Sequence, residues 1–453
     1  MKRIKPEQII GILLDESKKN GSTDTEVILS KKTGKNLSFR NGKDEYLEEF
    51  DEFKVGLKTF YNMKSSTISS NKIDEFTLRK LAKKSCEITS ASPDDKFSFI
   101  ATSADLKKNP IKKNLKINTF DDYEPSISDF RNKANNIEDF ALNHSSKLKS
   151  DGVQISWTKT KTFYASSNCL IKSHVTSNNS NSIVLISNYD DKMERDYHYS
   201  SKTHYADLEK PELIAKKACE RVLKKIGAEK PPTGKFPIIF EPRVSKSILS
   251  HIASALNGSS IVNNTSLLKN DLNKTIFNKN VNIVDDPHLN KGQGSRLFDG
   301  EGLGTKKTNL VLNGKLENFL LNLTTGKQLN LKTNCNAVRG LSSSPIPGIS
   351  NMILLPGNDD EDSFIRNIKE GFYVTELIGS SVSLITGDYS RGASGFWIKN
   401  GKISRPISEA TIAGNLKNIF MNMFPCNNLK IESSISAPSI FINEITVAGG
   451  SNV

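Results

Sequence analysis

Apolar and polar positions change period several times along the chain, and each change marks an element. Pro6 to Lys19 reads as a short helix. Beyond it, Glu26-Val27-Ile28-Leu29 and Leu37-Ser38-Phe39-Arg40 read as strand, and Asn41-Gly42 supplies the residue pair that a tight hairpin turn requires. Strand character continues from Glu48 to Phe60, and a helix is expected from Asp74, with Phe76, Leu81, Cys86 and Ile88 on one face. Adjacent strands with helices outside them predict an antiparallel or mixed sheet rather than repeated βαβ units.

From about Leu106 to Glu124 the chain is polar, rich in lysine and punctuated by Pro110, the pattern of a linker or long surface loop. Ser126 or Ser128 then caps a helix whose Ile127, Phe130, Ala134, Ile137, Ala141 and Leu148 are spaced for one buried stripe. Val153, Ile155 and Trp157 alternate with polar residues as a strand does, and Thr162 to Ile171 and Ser182 to Ser187 are two further strand candidates. Pro211 stands in the first turn of a helix running to Ile226, with Gly227 as its stop. Glu229 to Gly234, with Pro231-Pro232 at its centre, reads as the clearest linker. From Phe236 onward short strands are separated by Asn313-Gly314, Pro347-Gly348, Pro356-Gly357 and Asn400-Gly401 turns. Two helices are expected there: Ser363 to Lys369, ending at Gly371, and a longer one from near Ser408 with Ile412, Leu416, Ile419, Phe420 and Met423 on one face. The fold class expected is α+β: an N-terminal α+β domain over 1–115, a central α+β domain over 116–228, both sandwich-like, and a β-rich C-terminal domain over 233–453 with a few helices.

Composition adds limits. A chain of 453 residues exceeds what one hydrophobic core organises, which agrees with several domains. The net charge of +13 would attract anionic surfaces, but the positive residues are dispersed. The densest cluster, Lys107, Lys108, Lys112, Lys113 and Lys116, is interrupted by Asn109, Pro110 and Asn114, so a solvated loop is favoured over a nucleic-acid contact. Five cysteines without a CxxC pair suit free thiols in a reducing cytosol better than a disulfide framework. The run Ile9 to Leu14, interrupted by Gly11 and stopped at Asp15, is too short for a signal peptide or a membrane span. A soluble, cytoplasmic protein is expected.

Two segments carry more specific information. One runs from Leu384 through Gly387-Asp388-Tyr389-Ser390-Arg391-Gly392-Ala393-Ser394-Gly395 to Ile398, and on through Pro406-Ile407-Ser408-Glu409-Ala410 to Leu416. The other is Asp285-Asp286-Pro287-His288, Gly294-Ser295-Arg296 and Phe298-Asp299-Gly300-Glu301-Gly302. Together they resemble the C-terminal signature and central loop of the TldD/PmbA (TldE) family, and Ser38 to Gly42, Glu45 and Gly56-Leu57 match its first domain more weakly. The resemblance implies a cytosolic, two-subunit metalloprotease, also described as a modulator of DNA gyrase. One subunit, TldD, carries His-Glu-x-x-x-His on a helix and a cysteine near its C-terminus, a set able to hold a zinc-like ion with an open position and a glutamate base.

In this chain the corresponding stretch is Leu249 to Gly258, where the three motif positions hold Leu249, Ser250 and Ser254. Shifting the register onto His251 places Ile252 at the base and Leu256 at the second ligand, and Ala437 stands where the cysteine is needed. The resemblance therefore implies a PmbA/TldE-like subunit with no metal or other cofactor of its own and no catalytic residue. A TldD-like partner would carry the ion in a heterodimer, and the substrate would be peptide or unfolded protein. It further implies a substrate cleft or interface at Asp388, Ser390, Arg391, Gly392, Ser394, Asp299, Glu301 and Gly302, with the signature strand accepting an extended peptide by β-augmentation. The plainer reading gives the glycines to bulges, Arg391 to a bridge between loops, and Phe396 and Trp397 to the core.

Three places offer rival chemistry. His198 and His204 near Asp196 form a possible metal pair, Cys426 a displaced thiolate and His288 a general base, while solvation, burial and turn packing are the respective structural readings. A self-contained peptidase with His251, His288 or Cys426 as unusual ligands, and a protein binding nucleic acid or gyrase, are the two alternative functions.

Overall fold

The computed structural model describes residues 4–112, 114–189 and 192–449; Lys113 and the side chain of Cys169 lie outside the described residues. The N-terminal half contains α1 (Pro6–Lys19), β1 (Asp24–Arg40), β2 (Lys43–Tyr61), β3 (Lys64–Ser70), α2 (Glu75–Ala91) and α3 (Ser103–Lys108). It continues with α4 (Ile127–His144), β4 (Leu148–Ser166), β5 (Cys169–Tyr189), β6 (Lys192–Lys202) and α5 (Pro211–Lys224). All six strands join one antiparallel sheet in the order β3-β2-β1-β4-β5-β6.

The pairing of β1 with β4 is what unites the first two regions of sequence. Two apolar clusters lie on one face of this sheet. Val27, Leu29, Val55 and Leu57 pack under α1 and α2, whereas Leu37, Phe39, Val153, Ile155 and Trp157 pack under α4 and α5. Between them the strand middles are polar, Lys31 to Lys35 pairing with Trp157 to Lys161. Alternation sends the other side chains of the same strands, including Glu26, Lys58, Tyr164 and His174, to the opposite face. That face meets the C-terminal domain.

The C-terminal domain comprises β7 (Gly234–Phe240), α6 (Pro242–Ala255), α7 (Gly258–Val262), β8 (Ile283–Asp285), β9 (Thr308–Leu312), β10 (Lys315–Leu316), α8 (Leu323–Gln328), β11 (Ala337–Val338) and β12 (Ile346–Pro347). It ends with β13 (Met352–Leu354), α9 (Glu361–Arg366), β14 (Glu370–Val382), β15 (Asp388–Lys399), β16 (Lys402–Asn415), α10 (Leu416–Met421), β17 (Met423–Pro425), β18 (Ile435–Ser436) and β19 (Ile440–Ala448). Strands β16-β15-β14-β7-β19 follow one another, and Thr411 to Ala413 of β16 pair again with β19, which closes the five into a barrel with β17 beside β19. A mixed sheet, β10-β9-β8-β13-β18, packs into the same core. The fold is α+β with antiparallel and mixed sheets.

Several local expectations change. On α2 the buried face is Leu78, Ala82, Ser85, Cys86 and Thr89, while Phe76 is 78% exposed and Ile88 is also exposed. Leu148 is buried, but as the first residue of β4 rather than in α4. The strand expected over Thr162 to Ile171 straddles a hairpin, since β4 ends at Ser166 and β5 starts at Cys169. The helix expected from Ser408 begins late: 408–415 are the second half of β16, and only α10, Leu416–Met421, is helical, with Leu416, Ile419 and Phe420 buried as expected. Glu409 has φ 54° in a bulge, so the buried positions Ile407, Ala410 and Ile412 are spaced by three and then two residues, imitating a helical period. Four helices escaped the sequence reading: α3, α6, α7 and α8. For α6 the signal was present, with Pro242 in the first turn and Val244, Ile248, Leu249, Ile252 and Ala255 on one stripe.

Candidate functional site

Helix α6 lies over the start of β15, and four side chains meet between them. Ser247 and His251 occupy one face of α6, four residues apart, opposite Tyr389 and Arg391 of β15. Arg391 Nη1 donates to Ser247 Oγ at 3.2 Å, and the His251 ring meets Tyr389 edge-on with centroids 6.0 Å apart. His251 Nε2, Tyr389 Oη and Arg391 Nε are buried and find no hydrogen-bond partner among the described residues. Burial first, and the Arg391 charge second, push the His251 pKa below the usual imidazole value, so the ring is neutral at neutral pH. Burial raises the Tyr389 phenol well above its usual range, so the hydroxyl keeps its proton. The cluster thus offers a guanidinium, a neutral imidazole and a phenol with bonding capacity to spare. A peptide carbonyl or carboxylate is a chemically suitable complement.

The positions that the family resemblance assigns to metal binding are filled otherwise. Leu249 is fully buried among the apolar core residues, whereas Ser254 is exposed. The hydroxyl of Ser250 donates to the Lys246 carbonyl at 2.9 Å, and that of Ser254 to the Ser250 carbonyl at 3.0 Å, each turned back on its own helix. Ala437 is buried in the core. Alkyl groups and hydroxyls bonded to helix carbonyls do not fit a zinc-like ion.

Around this cluster, Ser390, Gly392 and the buried Ser394 lie on β15, and Asp388 begins the strand exposed, accepting from Thr386 Oγ1 at 2.6 Å. Gly387 has φ 86°, and a Cβ on Gly395 would run into the Tyr373 carbonyl, so these two glycines answer backbone demands. Phe396 is only partly buried, whereas Trp397 lies in the core. One expectation fails here. Strand β15 is paired along its length with β14 on one edge and β16 on the other, so no edge is open for β-augmentation. Only the side chains of β15 remain free to meet another molecule.

Asp299, Glu301 and Gly302 belong to a different place, the junction between the C-terminal domain and the N-terminal sheet. Asp299 Oδ1 accepts from the backbone N–H groups of Glu301 and Leu303, and Oδ2 from that of Ala337. Burial nevertheless pushes its pKa up to about 6. Glu301, also buried and beside Asp299, is pushed well above the usual carboxylate range, first by burial and then by that neighbouring charge. Tyr164 of β4 donates to Glu26 Oε1 at 2.7 Å and lies 3.1 Å from the Glu301 carbonyl. Gly302 has φ 78°, and a Cβ on it would strike the Tyr164 ring. Arg339 completes the junction, its Nη1 2.9 Å from Glu26 Oε2 with both side chains buried. Among the described residues no hydrogen bond or ion pair links this group to the β15 cluster. The sequence reading missed Arg339, Tyr389 and Ser247; Glu26, a carboxylate heading an apolar strand, was a readable signal for the junction.

The rival sites resolve into structural contacts. His198 Nε2 is 2.9 Å from Glu209 Oε2 while Nδ1 is 3.0 Å from Arg221 Nη1, so both nitrogens are engaged. Asp196 is held by Arg243 at 2.7 Å and Lys225 at 2.9 Å, and His204 Nδ1 by Thr203 at 3.1 Å. Cys426 is buried, with its thiol pushed up to about 12 by burial and then by Glu361, Asp359 and Asp360. His288 Nε2 is 3.1 Å from Thr305 Oγ1. Among the described residues there is no group of three or more His, Cys, Asp and Glu side chains placed to hold a metal ion. None of their helices is long and apolar enough to cross a membrane.

The chain is thus a helix-covered antiparallel sheet joined to a closed barrel, with the signature strand β15 as one of the barrel's strands. Three consecutive stretches match the domains described as PmbA/TldA metallopeptidase: domain 1 over residues 25–89, the central domain over 120–226 and the C-terminal domain over 233–449. The chain belongs to the PmbA/TldD family. It is 29% identical to the metalloprotease PmbA homolog of Buchnera aphidicola subsp. Acyrthosiphon pisum over 95% of this chain and 94% of that protein. With metalloprotease PmbA of Escherichia coli O157:H7 the identity is again 29%, over 95% of this chain and 93% of the relative. Among solved structures, a candidate modulator of DNA gyrase from Bacteroides thetaiotaomicron superposes with a TM-score of 0.91 at 25% identity, covering 99% of this chain and 100% of that one. TldE from Thermococcus kodakarensis shares the fold, with a TM-score of 0.86 at 15% identity over 97% of this chain and 100% of that one.

Proposed function

We propose that this chain is the substrate-holding, PmbA/TldE-like subunit of a cytosolic two-subunit metallopeptidase, with the metal carried by a TldD-like partner in a heterodimer. The observation that carries the reading is the contrast on α6. The face toward β15 keeps His251 and Ser247 beside an Arg391 and a Tyr389 with unused hydrogen-bonding capacity, while the metal-ligand positions hold Leu249, Ser250 and Ser254. Such a site can bind and orient a peptide through its carbonyl or carboxylate oxygens. Among the described residues no group of side chains there is placed to hold a metal ion that would activate water.

Mixing the purified chain with a metal-loaded TldD-like subunit tests the proposal on an unfolded peptide substrate. Activity that requires both chains, with the metal retained by the partner, is the expected result. Stoichiometric tightly bound zinc in this chain alone, or partner activity indifferent to its presence, would overturn it.

A further inference from the structure

A cavity of about 300 Å³ lies at the junction between the N-terminal sheet and the C-terminal domain, away from the α6 and β15 cluster. The sheet contributes Ser30, Thr162 and His174 to its wall, and the C-terminal domain contributes Arg296, Phe298 and Arg339. We propose that this cavity binds a small oxyanion, a carboxylate or phosphate carried on a compact body, between the guanidinium groups of Arg296 and Arg339.

The argument rests on a mismatch of donors and acceptors. Nε and Nη2 of Arg296, all three nitrogens of the Arg339 guanidinium, and Nδ1 of His174 are buried without hydrogen-bond partners among the described residues. Arg339 Nη1 does lie 2.9 Å from Glu26 Oε2, but as an ion pair without hydrogen-bond alignment; the Arg339 side chain is only 1% exposed. The nearby carboxylates offset the charge of these groups without taking up their donors: Glu26 pairs with Arg339, and Asp285 and Asp299 favour the charged form of Arg296, but the hydrogen bonds of these acids go largely to other partners. Asp299 is taken by three backbone N–H groups, Asp285 by Asn336 and the Ser350 N–H, and Glu26 by Tyr164 as well as by Arg339. A buried donor left unsatisfied costs about 1–3 kcal/mol, and more when charged, so the surplus calls for an acceptor-rich occupant. Guanidinium forks match the paired oxygens of carboxylate and phosphate. The volume suits a small metabolite-sized anion, being equivalent to on the order of ten liquid waters.

The wall comes from both halves of the fold, so an occupant would tie the sheet to the C-terminal domain and stabilise the folded chain by mass action. This inference is independent of the peptidase reading, since it concerns different residues and needs no partner.

Thermal unfolding of the full chain is followed in sodium phosphate, sodium glutarate and sodium chloride at equal ionic strength, alongside calorimetric titration of the native chain with each anion. The expected result is a saturable rise in Tm with phosphate or glutarate beyond chloride, and one-site binding heat; the anion with the larger effect identifies whether phosphate or carboxylate is the preferred source. Thr162→Leu, which fills the cavity without touching a charge, and Arg296→Gln should both abolish the rise, whereas Thr162→Ser should retain it. If the first two fail to fold, titration of the unaltered chain still decides. No saturable binding of either oxyanion, or an equal rise in Thr162→Leu and Arg296→Gln, would overturn the proposal and leave a cavity filled by water.

Discussion

Gly302 shows how much one position can constrain. Its φ of 78° is strained for any side chain, and the Tyr164 ring occupies the place of a Cβ. Gly302→Ala is expected to cost about 1–3 kcal/mol from backbone strain, with more from displacing Tyr164. A lowered urea midpoint at unchanged m-value is the readout, and an unchanged midpoint would refute the packing described. Arg391 is a contrasting case, tied to the protein by one side-chain hydrogen bond to Ser247. Arg391→Ala should leave stability within about 1 kcal/mol, since it removes a single partly exposed contact. In the reconstituted peptidase it should raise KM about tenfold, the effect of losing one charge-assisted hydrogen bond to substrate. At this scale the sequence was informative about residue type but not about company. Asp299 and Arg391 were both picked out, yet only the folded chain puts one beneath Tyr164 and the other against Ser247.

Among elements, α6 bears most on the proposed function. Its apolar stripe anchors it in the core, which leaves the Ser247 and His251 face toward β15. Leu249 is part of that anchor. Leu249→His should therefore destabilise the chain by roughly 2–5 kcal/mol, because it removes packed methyl groups and buries an imidazole. Ser250→Ala should change stability by less than about 1 kcal/mol, as its hydroxyl only returns to its own helix. Comparing denaturant midpoints of the two variants checks both, and equal effects would contradict the burial of Leu249. The sequence held the stripe of α6 in legible form. For β16 it misled, since the bulge at Glu409 breaks the alternation that identifies a strand. Of the two neighbours that cover β15, β16 was signalled by the Asn400-Gly401 turn, whereas the pairing with β14, across residues 383–387 that carry no paired turn signal, was not legible.

For the molecule as a whole, charge networks join the N-terminal sheet to the C-terminal domain. Asp196 of β6 binds Arg243 of α6 and Lys225 just beyond α5, and Lys225 reaches Glu376 of β14 at 2.7 Å. Burial alone would raise the Asp196 pKa, but Arg243 and Lys225 outweigh it and hold the carboxyl at about 2. A depressed carboxylate contributes stability that is present above its unfolded value of roughly 3.9 and lost as pH falls toward 2. Asp299 has the opposite sign. Its value of about 6 means that its contribution is present below roughly 3.9 and lost as pH rises through 6. Asp196→Asn should flatten the loss of stability between pH 4 and 2 and cost about 1–3 kcal/mol near neutrality, since Lys225 keeps Glu376 and Arg243 keeps Glu241. Asp299→Asn should remove a decline between pH 4 and 6. Denaturant midpoints measured across pH test both, and slopes unchanged by substitution would refute the assignments.

The sequence by itself determined the order of most elements, the hairpins at Asn41-Gly42, Asn313-Gly314 and Asn400-Gly401, the Pro-rich connection before β7, and the family to which the chain belongs. These depend on local backbone preference, apolar period and residues adjacent in sequence, all of which can be read from short windows. Tertiary structure alone decided that β1 pairs with β4 to merge two regions into one sheet, that β15 has no open edge, and that the signature residues divide between a cluster under α6 and a buried junction. Those facts depend on contacts between separate segments, from neighbouring strands of one barrel to stretches more than a hundred residues apart. Which side chains share a desolvated space, and which are left there with unused donors, is settled only when the two faces meet.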